Sequence, residues 1–383
     1  MKHSFAAGLI LTALIIMTVS CSPGGSTACA YDTVFYRPEY ASGFEIAGNK
    51  GKASRVIRVF SAWQGADSTA MELFIARDGE EPPAGFRGQT IADHAARLAV
   101  MSSSYIGMLS CIDACDSVAA VSGKRFISDK SILGRIDSIL ETGSDSAPDY
   151  EGMLARGIDL VLIYGVASRS TMEKRLAHLG IPYLYMGEYL ESDPLGRAEW
   201  MVALAEIIGD RERGERAFSI IEERYDSLRT MAAAMADCYR PKVMLNAPYG
   251  DTWFMASPIS AVARMIWDAG GEYVYHGHMT NRSTPVSRED AFMLASEADI
   301  WLDTGNIATM KELMRSCPGF SSVKCVRDGM VYNNDARTSP GGGNEYWETS
   351  PARPDLVLGD LISILHPDRL TDGDSLYYYR RIE

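Results

Sequence analysis

One stretch limits what this chain can fold into more than any other. From 196 to about 236 there is no proline, and Ala, Glu, Arg, Leu and Ile dominate, with Gly209 and Gly214 as the weak points. Trp200, Leu204, Ile207 and Ile208 recur at helical spacing, as do Ala217, Ile220, Ile221 and Tyr225. The pattern predicts a helix, or two in series, of about 40 residues, which at 1.5 Å per residue would span about 60 Å. That is wider than one lobe, so the stretch is expected to connect two.

On either side the period is different. Before it, 95–100, 118–123, 159–164 and 181–185 read as short apolar strands, with helices over 102–112, 150–156 and 171–179, the last stopped by Gly180. After Arg240-Pro241 the alternation resumes, with strands at 242–246, 299–302 and 329–332. The helices there fall at 259–269, 288–297, 309–316 and 354–365. Apolar strands alternating with helices imply parallel βαβ units covered on both faces. The expected architecture is α/β, with two Rossmann-like lobes joined by the long helix. Lobe one covers 91–195, the connector 196–236 and lobe two 237–383. Ahead of these, 31–90 is β-rich, with strands at 56–60 and 71–76, and is expected to pack on the first lobe.

A length of 383 residues suits two lobes. A composition of 46% hydrophobic and 23% charged residues excludes disordered, collagenous and polytopic membrane chains. The formal net charge of −13, without a basic block, argues against nucleic acid, since phosphate binding needs clustered Lys and Arg.

The N-terminus sets the compartment. Lys2 precedes an uncharged apolar run over 5–19, too short for an ordinary membrane span, and then Thr18-Val19-Ser20-Cys21. This reads as a signal peptide over 1–20. Cys21 resembles the lipidated cysteine of bacterial lipoproteins, although Thr18 replaces the usual Leu. The segment 21–30 would then be a flexible tether. The other reading is cleavage after Ala28 or Ala30, with Cys21 discarded. Export favours disulfides over metal ligands for the closest cysteine pairs, Cys111 with Cys115 and Cys317 with Cys325. There is no CxxC motif.

Several segments, in order, carry a resemblance over 90–367. Asp149-Tyr150-Glu151-Gly152-Met153-Leu154 precedes Asp159-Leu160-Val161-Leu162, and Leu179-Gly180-Ile181-Pro182 follows. Val286-Ser287-Arg288-Glu289 with Ala298-Asp299-Ile300-Trp301 repeats the pattern beyond the connector, and Gly329-Met330-Val331-Tyr332 closes it. The chain resembles the periplasmic substrate-binding proteins of ABC importers for vitamin B12, haem and ferric siderophores. The resemblance implies a ligand cleft between the lobes, no catalysis and no resident cofactor. The expected cargo is an iron chelate, haem or cobalamin. It also implies an ABC permease as partner, docked through Glu151 and Glu289, one on each lobe, against permease arginines. The plain alternative is that each is a first-turn Glu favoured by its helix dipole.

Clefts of this kind take their walls from aromatics and arginines at strand ends. Tyr105, Tyr164, Tyr189, Tyr249, Trp253 and Trp347 are candidates on that ground. Arg169, Arg282 and Arg337 are candidates to pair with ligand carboxylates. Gly341-Gly342-Gly343 leads into Trp347, and Trp63 is a weaker candidate. His276-Gly277-His278 offers two imidazoles as further candidates to contact the ligand, but no Asp, Glu or Cys set stands beside them, so no metal site is predicted. Two other functions compete: a scavenger of haem or corrinoid working without an importer, and a metal hydrolase using His276 and His278. Against the hydrolase, no nucleophile elbow, P-loop or HExxH is present.

Overall fold

The computed structural model describes residues 31–66, 71–166, 168–236, 239–250, 252–280, 282–369 and 375–383. The expected signal peptide, the tether with Cys21 and Cys29, and Cys238 lie outside the described residues.

The N-terminal sheet runs in chain order through Thr33–Tyr36, Phe44–Gly48, Arg55–Val59, Met71–Ala76 and Gln89–Ala92. Its first four strands are antiparallel and the fifth joins in parallel. Strand alternation sends Phe44, Ile46, Ile57, Val59, Leu73 and Ile75 into the core. On the other face Arg58 bridges Glu45 and Glu72, directly opposite it on the two flanking strands, at 2.9 Å each.

Two buried carboxylates attach this sheet to the first lobe. Glu199, on the helix Pro194–Ile207, accepts from the Tyr36 hydroxyl at 2.7 Å and from the backbone N–H groups of Glu39, Tyr40 and Ala41 at 2.8–2.9 Å. Glu191 accepts from the N–H groups of Ser42 and Gly43 and from the Trp200 indole. These donors replace the water that each carboxylate lost on burial.

The first α/β sheet is fully parallel, in the order Tyr183–Tyr185, Leu160–Ile163, Leu98–Val100, Val118–Val121, Leu140–Glu141. Every residue of Leu98–Val100 and Leu160–Ile163 is buried, as expected where helices cover both faces. The second sheet places Glu272–Tyr273, Lys242–Leu245, Ile300–Leu302 and Val331–Asn333 in parallel. Arg380–Arg381 closes its edge antiparallel. In both lobes the first strand lies inside the sheet with parallel neighbours on each side. The chain therefore reverses direction there and leaves a crevice at the strand carboxyl ends.

The connecting segment differs from its expected length. It forms two helices, Pro194–Ile207 and Arg211–Met235, turned back on each other at Gly209, whose φ of 88° needs a residue without a Cβ. Gly214 lies against Val202 and Ala205 of the first helix, and Tyr40 meets both Glu199 and Glu222. The expected 60 Å span is thus not made. Arg211–Met235 alone, about 38 Å at 1.5 Å per residue, carries the chain across. Its second half packs on the helices Ala261–Asp268 and Pro354–Leu365 through Tyr225 to Asp268 at 2.9 Å and Arg224 to Asp355 at 3.5 Å.

A second seam joins the lobes behind the crevice. Gly107, on the helix Ser103–Cys111, lies against the carbonyl of Glu348 on the short helix Glu345–Thr349. Glu348 accepts from the Ser128 N–H at 2.8 Å. Gly341 and Gly343 press on the carbonyls of Arg125 and Phe126, where any Cβ would collide. The glycine-rich loop is therefore a contact between lobes rather than a ligand loop.

The expected disulfides are corrected: Cys111, Cys115, Cys317 and Cys325 are all free thiols. Cys111 ends its helix and Cys115 opens a 3-10 turn after it. Burial pushes the Cys111 thiol up to about 12 and the Cys115 and Cys325 thiols up to about 11, so they serve as small apolar core groups.

Candidate functional site

The carboxyl ends of the two parallel sheets face each other across a cleft of about 600 Å³. The first lobe contributes Ser102–Ser104 and residues between 188 and 197, and the second contributes 245–246, residues between 256 and 265, 280, 282–283, 303 and residues between 346 and 354. A volume of this order suits a small organic ligand or chelate.

The local sequence explains how each wall is presented. Ser102 caps the helix Ser103–Cys111, its side chain accepting from the Ser104 N–H, and this turn places three hydroxyls at the end of strand Leu98–Val100. In the second lobe, Asn246 and Asp303 directly follow the adjacent parallel strands Lys242–Leu245 and Ile300–Leu302. Both are held at positive φ, 68° and 61°. Non-glycine residues in that region are costly, and side-by-side placement at two strand ends marks a functional crevice.

Of the residues expected from sequence, Tyr189, Arg282 and Trp347 line the cleft. Trp347 is 62% exposed, with its ring edge-on to Tyr346. The Tyr189 hydroxyl donates to the Gly165 carbonyl, and burial pushes it up to about 12. Arg282 reaches toward Gly65 of the N-terminal section.

The other candidates lie elsewhere. Tyr105 is wholly buried in the first lobe, its hydroxyl donating to the Ile163 carbonyl, because the helical turn that presents Ser104 outward points the next residue inward. Tyr164 is half-buried against the same core. Arg169 pairs with Glu173 at 2.8 Å and lies over the Trp63 ring. Trp63 lines a smaller hollow that shares Leu190 and Glu191 with the cleft.

Trp253 was expected in a loop. It opens a strand, Trp253–Met255, paired antiparallel with Thr284–Val286. Its indole donates to the Leu245 carbonyl at 3.0 Å and packs between Trp301 and Phe320 in the core. Tyr249 is 84% exposed on a turn outside the cleft. Arg337 lies over Tyr377 and donates to its carbonyl, in a separate pocket by the rear seam. His276 and His278 are exposed, His276 lies 3.4 Å from Glu272, and no metal-ligating cluster forms among the described residues.

Glu151 and Glu289 occupy first turns of the helices Tyr150–Ala155 and Arg288–Glu297, one on each lobe. Both are exposed and in no ion pair among the described residues.

Sequence reasoning missed the polar floor. Glu188, only 3% exposed, accepts from the Ser104 hydroxyl at 2.9 Å, and burial pushes its carboxyl up to about 7 against the pull of Arg197. Asp303 accepts from the Tyr379 hydroxyl and the Asn334 amide at 2.9 Å each, and burial pushes it up to about 6. Two signals were available: Asp303 directly follows an apolar strand, and Glu188 lies in the Gly187-Glu188-Tyr189 turn just after another.

Comparison with known proteins agrees with this geometry. The family described as periplasmic binding protein matches residues 98–338. An uncharacterized lipoprotein of Methanocaldococcus jannaschii is 25% identical over 320 residues, covering 79% of this chain and 74% of its own. Among solved structures, a periplasmic heme binding protein from Pseudomonas aeruginosa is similar with a TM-score of 0.57 and 17% identity. That alignment covers 74% of this chain and 96% of the other. The periplasmic vitamin B12 binding protein of Vibrio cholerae is similar with a TM-score of 0.53 and 13% identity, over 72% and 99%. At these identities the two structures speak for the fold.

Proposed function

The chain belongs to the periplasmic binding protein family, and from that premise we propose that it captures a metal chelate or corrinoid between its lobes and delivers it to an ABC permease. The observation that carries the reading is the cleft itself, walled by strand carboxyl ends of both lobes and flanked by Trp347 and Tyr189. A flat chelate would lie against these rings, and closing on it needs no chemistry from the protein. The two solved neighbours are a heme binding protein and a vitamin B12 binding protein, which supports the same class here. The test is a fluorescence titration with haemin, cyanocobalamin and a ferric hydroxamate. At least one should saturate at one per chain, and failure of all three would sink the reading.

Docking rests on Glu151 and Glu289. Two exposed carboxylates, one on each lobe of a rigid body, fix orientation on a partner that presents two basic sites. The anchor rests on Cys21, supported by the lipoprotein relative; no helix among the described residues is long and apolar enough to cross a membrane. In the native host, Glu151→Ala with Glu289→Ala should abolish uptake and leave ligand affinity intact. Cys21→Ser should move the protein to the soluble fraction. Lost affinity in the first variant, or unchanged membrane retention in the second, would refute the corresponding role.

A further inference from the structure

We propose that Glu188 and Asp303 form an acidic floor that selects chelates whose inserted edge carries hydrogen-bond donors, amide or ammonium, over chelates edged by carboxylates. This rests on the ligand-binding reading above and narrows it. Each lobe supplies one carboxylate, at the carboxyl end of a parallel strand or in the turn after it, where a ligand edge entering the cleft must arrive.

Both carboxylates keep capacity in reserve. Glu188 Oε1 takes the Ser104 hydroxyl, while Oε2, although buried, has no hydrogen-bond partner. Asp303 Oδ1 takes both Tyr379 and Asn334, and no described residue donates to Oδ2. A buried acceptor left unpaired is costly, so a donor arriving at Glu188 Oε2 recovers what folding left unmade, while the partly buried Asp303 offers its Oδ2 as an open acceptor. A carboxylate arriving there meets like charge in a desolvated place. The left-handed backbone at Asp303 and its neighbour Asn246 holds this arrangement at a local conformational cost.

The surroundings include one cation: Arg197 lines the cleft with its buried Nε unpartnered, so the floor is net negative only where both acids are ionised. Facing Glu188 are Ser104 and Tyr105 of one helix, Tyr189 beside it, and Arg197, which is close enough to pull on it but forms no ion pair with it. Facing Asp303 are Tyr379, Tyr346 and Asn334. Arg282 is exposed at the cleft and reaches toward Gly65. Since a donor is best received by the ionised acid, binding of a donor-edged ligand should strengthen as pH rises through the range where the floor ionises.

The test titrates the full chain with two donor-edged probes, dicyanocobinamide (amides) and ferrioxamine B (ammonium), and two carboxylate-edged probes, haemin and ferric citrate, at pH 5.5 and 8. One donor-edged probe should bind at least tenfold tighter than either carboxylate-edged probe, and its affinity should rise several-fold between the two pH values. Glu188→Gln and Asp303→Asn should each flatten that pH dependence while the melting temperature at pH 5.5 stays unchanged. Haemin or ferric citrate binding tightest, or a pH dependence that survives in both variants, would overturn the floor while leaving the ligand-binding reading standing. Binding of none of the four would overturn both.

Discussion

At the scale of single residues, the same residue type serves opposite ends depending on which way its strand or turn faces. Trp253 and Trp347 both looked like cleft aromatics. Trp253 is fully buried with its indole hydrogen-bonded, whereas Trp347 stands at the cleft. Trp253→Ala should therefore cost about 3–5 kcal/mol of stability by leaving a large cavity and an unpaired carbonyl. Trp347→Ala should leave the melting temperature within a degree or two and weaken chelate binding at least tenfold. Thermal melts and fluorescence titrations on the two variants separate these outcomes, and unchanged ligand affinity in Trp347→Ala would remove that residue from the site. Ser104 and Tyr105 make the same point within one helical turn: the hydroxyl lines the cleft and the ring is core.

At the scale of elements, the connections are made by carboxylates and glycines. Glu199 gathers one hydroxyl and three backbone N–H groups from 36–41, and Glu191 gathers the next two N–H groups. Replacing Glu199 by Ala leaves four donors without an acceptor in a buried place, so about 3 kcal/mol or more should be lost. The loss should appear first as faster amide hydrogen exchange in Thr33–Tyr36 and Phe44–Gly48. Uniform exchange across the lobe sheets would show that the clamp is not local. Gly341 and Gly343 act differently, by letting one lobe's backbone touch the other's at Arg125 and Phe126. The helical hairpin likewise depends on Gly209, without which the chain would not reverse between its two helices.

For the whole molecule, burial raises five carboxyls among the described residues: Glu188 and Glu348 to about 7, Asp303 to about 6, and Asp268 and Asp360 above their ordinary range. Such groups are protonated in the folded state where the unfolded chain would already have released its protons. The contribution of the first three to stability is fully present below about pH 4 and is lost as pH rises through about 6 to 7. The unliganded protein should therefore melt at a lower temperature at pH 8 than at pH 5. At about 1.4 kcal/mol per unit, the Glu348 share is on the order of 3 kcal/mol. Glu348→Gln should remove part of that slope; a slope equal to that of the unchanged protein would mean Glu348 is not its source.

What the sequence determined by itself was the α/β class, the order of the main strands and helices, and the helical run within 196–236. Periodicity and turn residues act over a few positions, and those features are local. The tertiary structure alone decided the fold-back at Gly209, the free cysteines, the inward turn of Tyr105 and Trp253, and the placing of Glu188 and Asp303 on one cleft. Each of these depends on which segments, distant in sequence, are brought face to face, and burial, not residue type, then makes a side chain core, clamp or binding group.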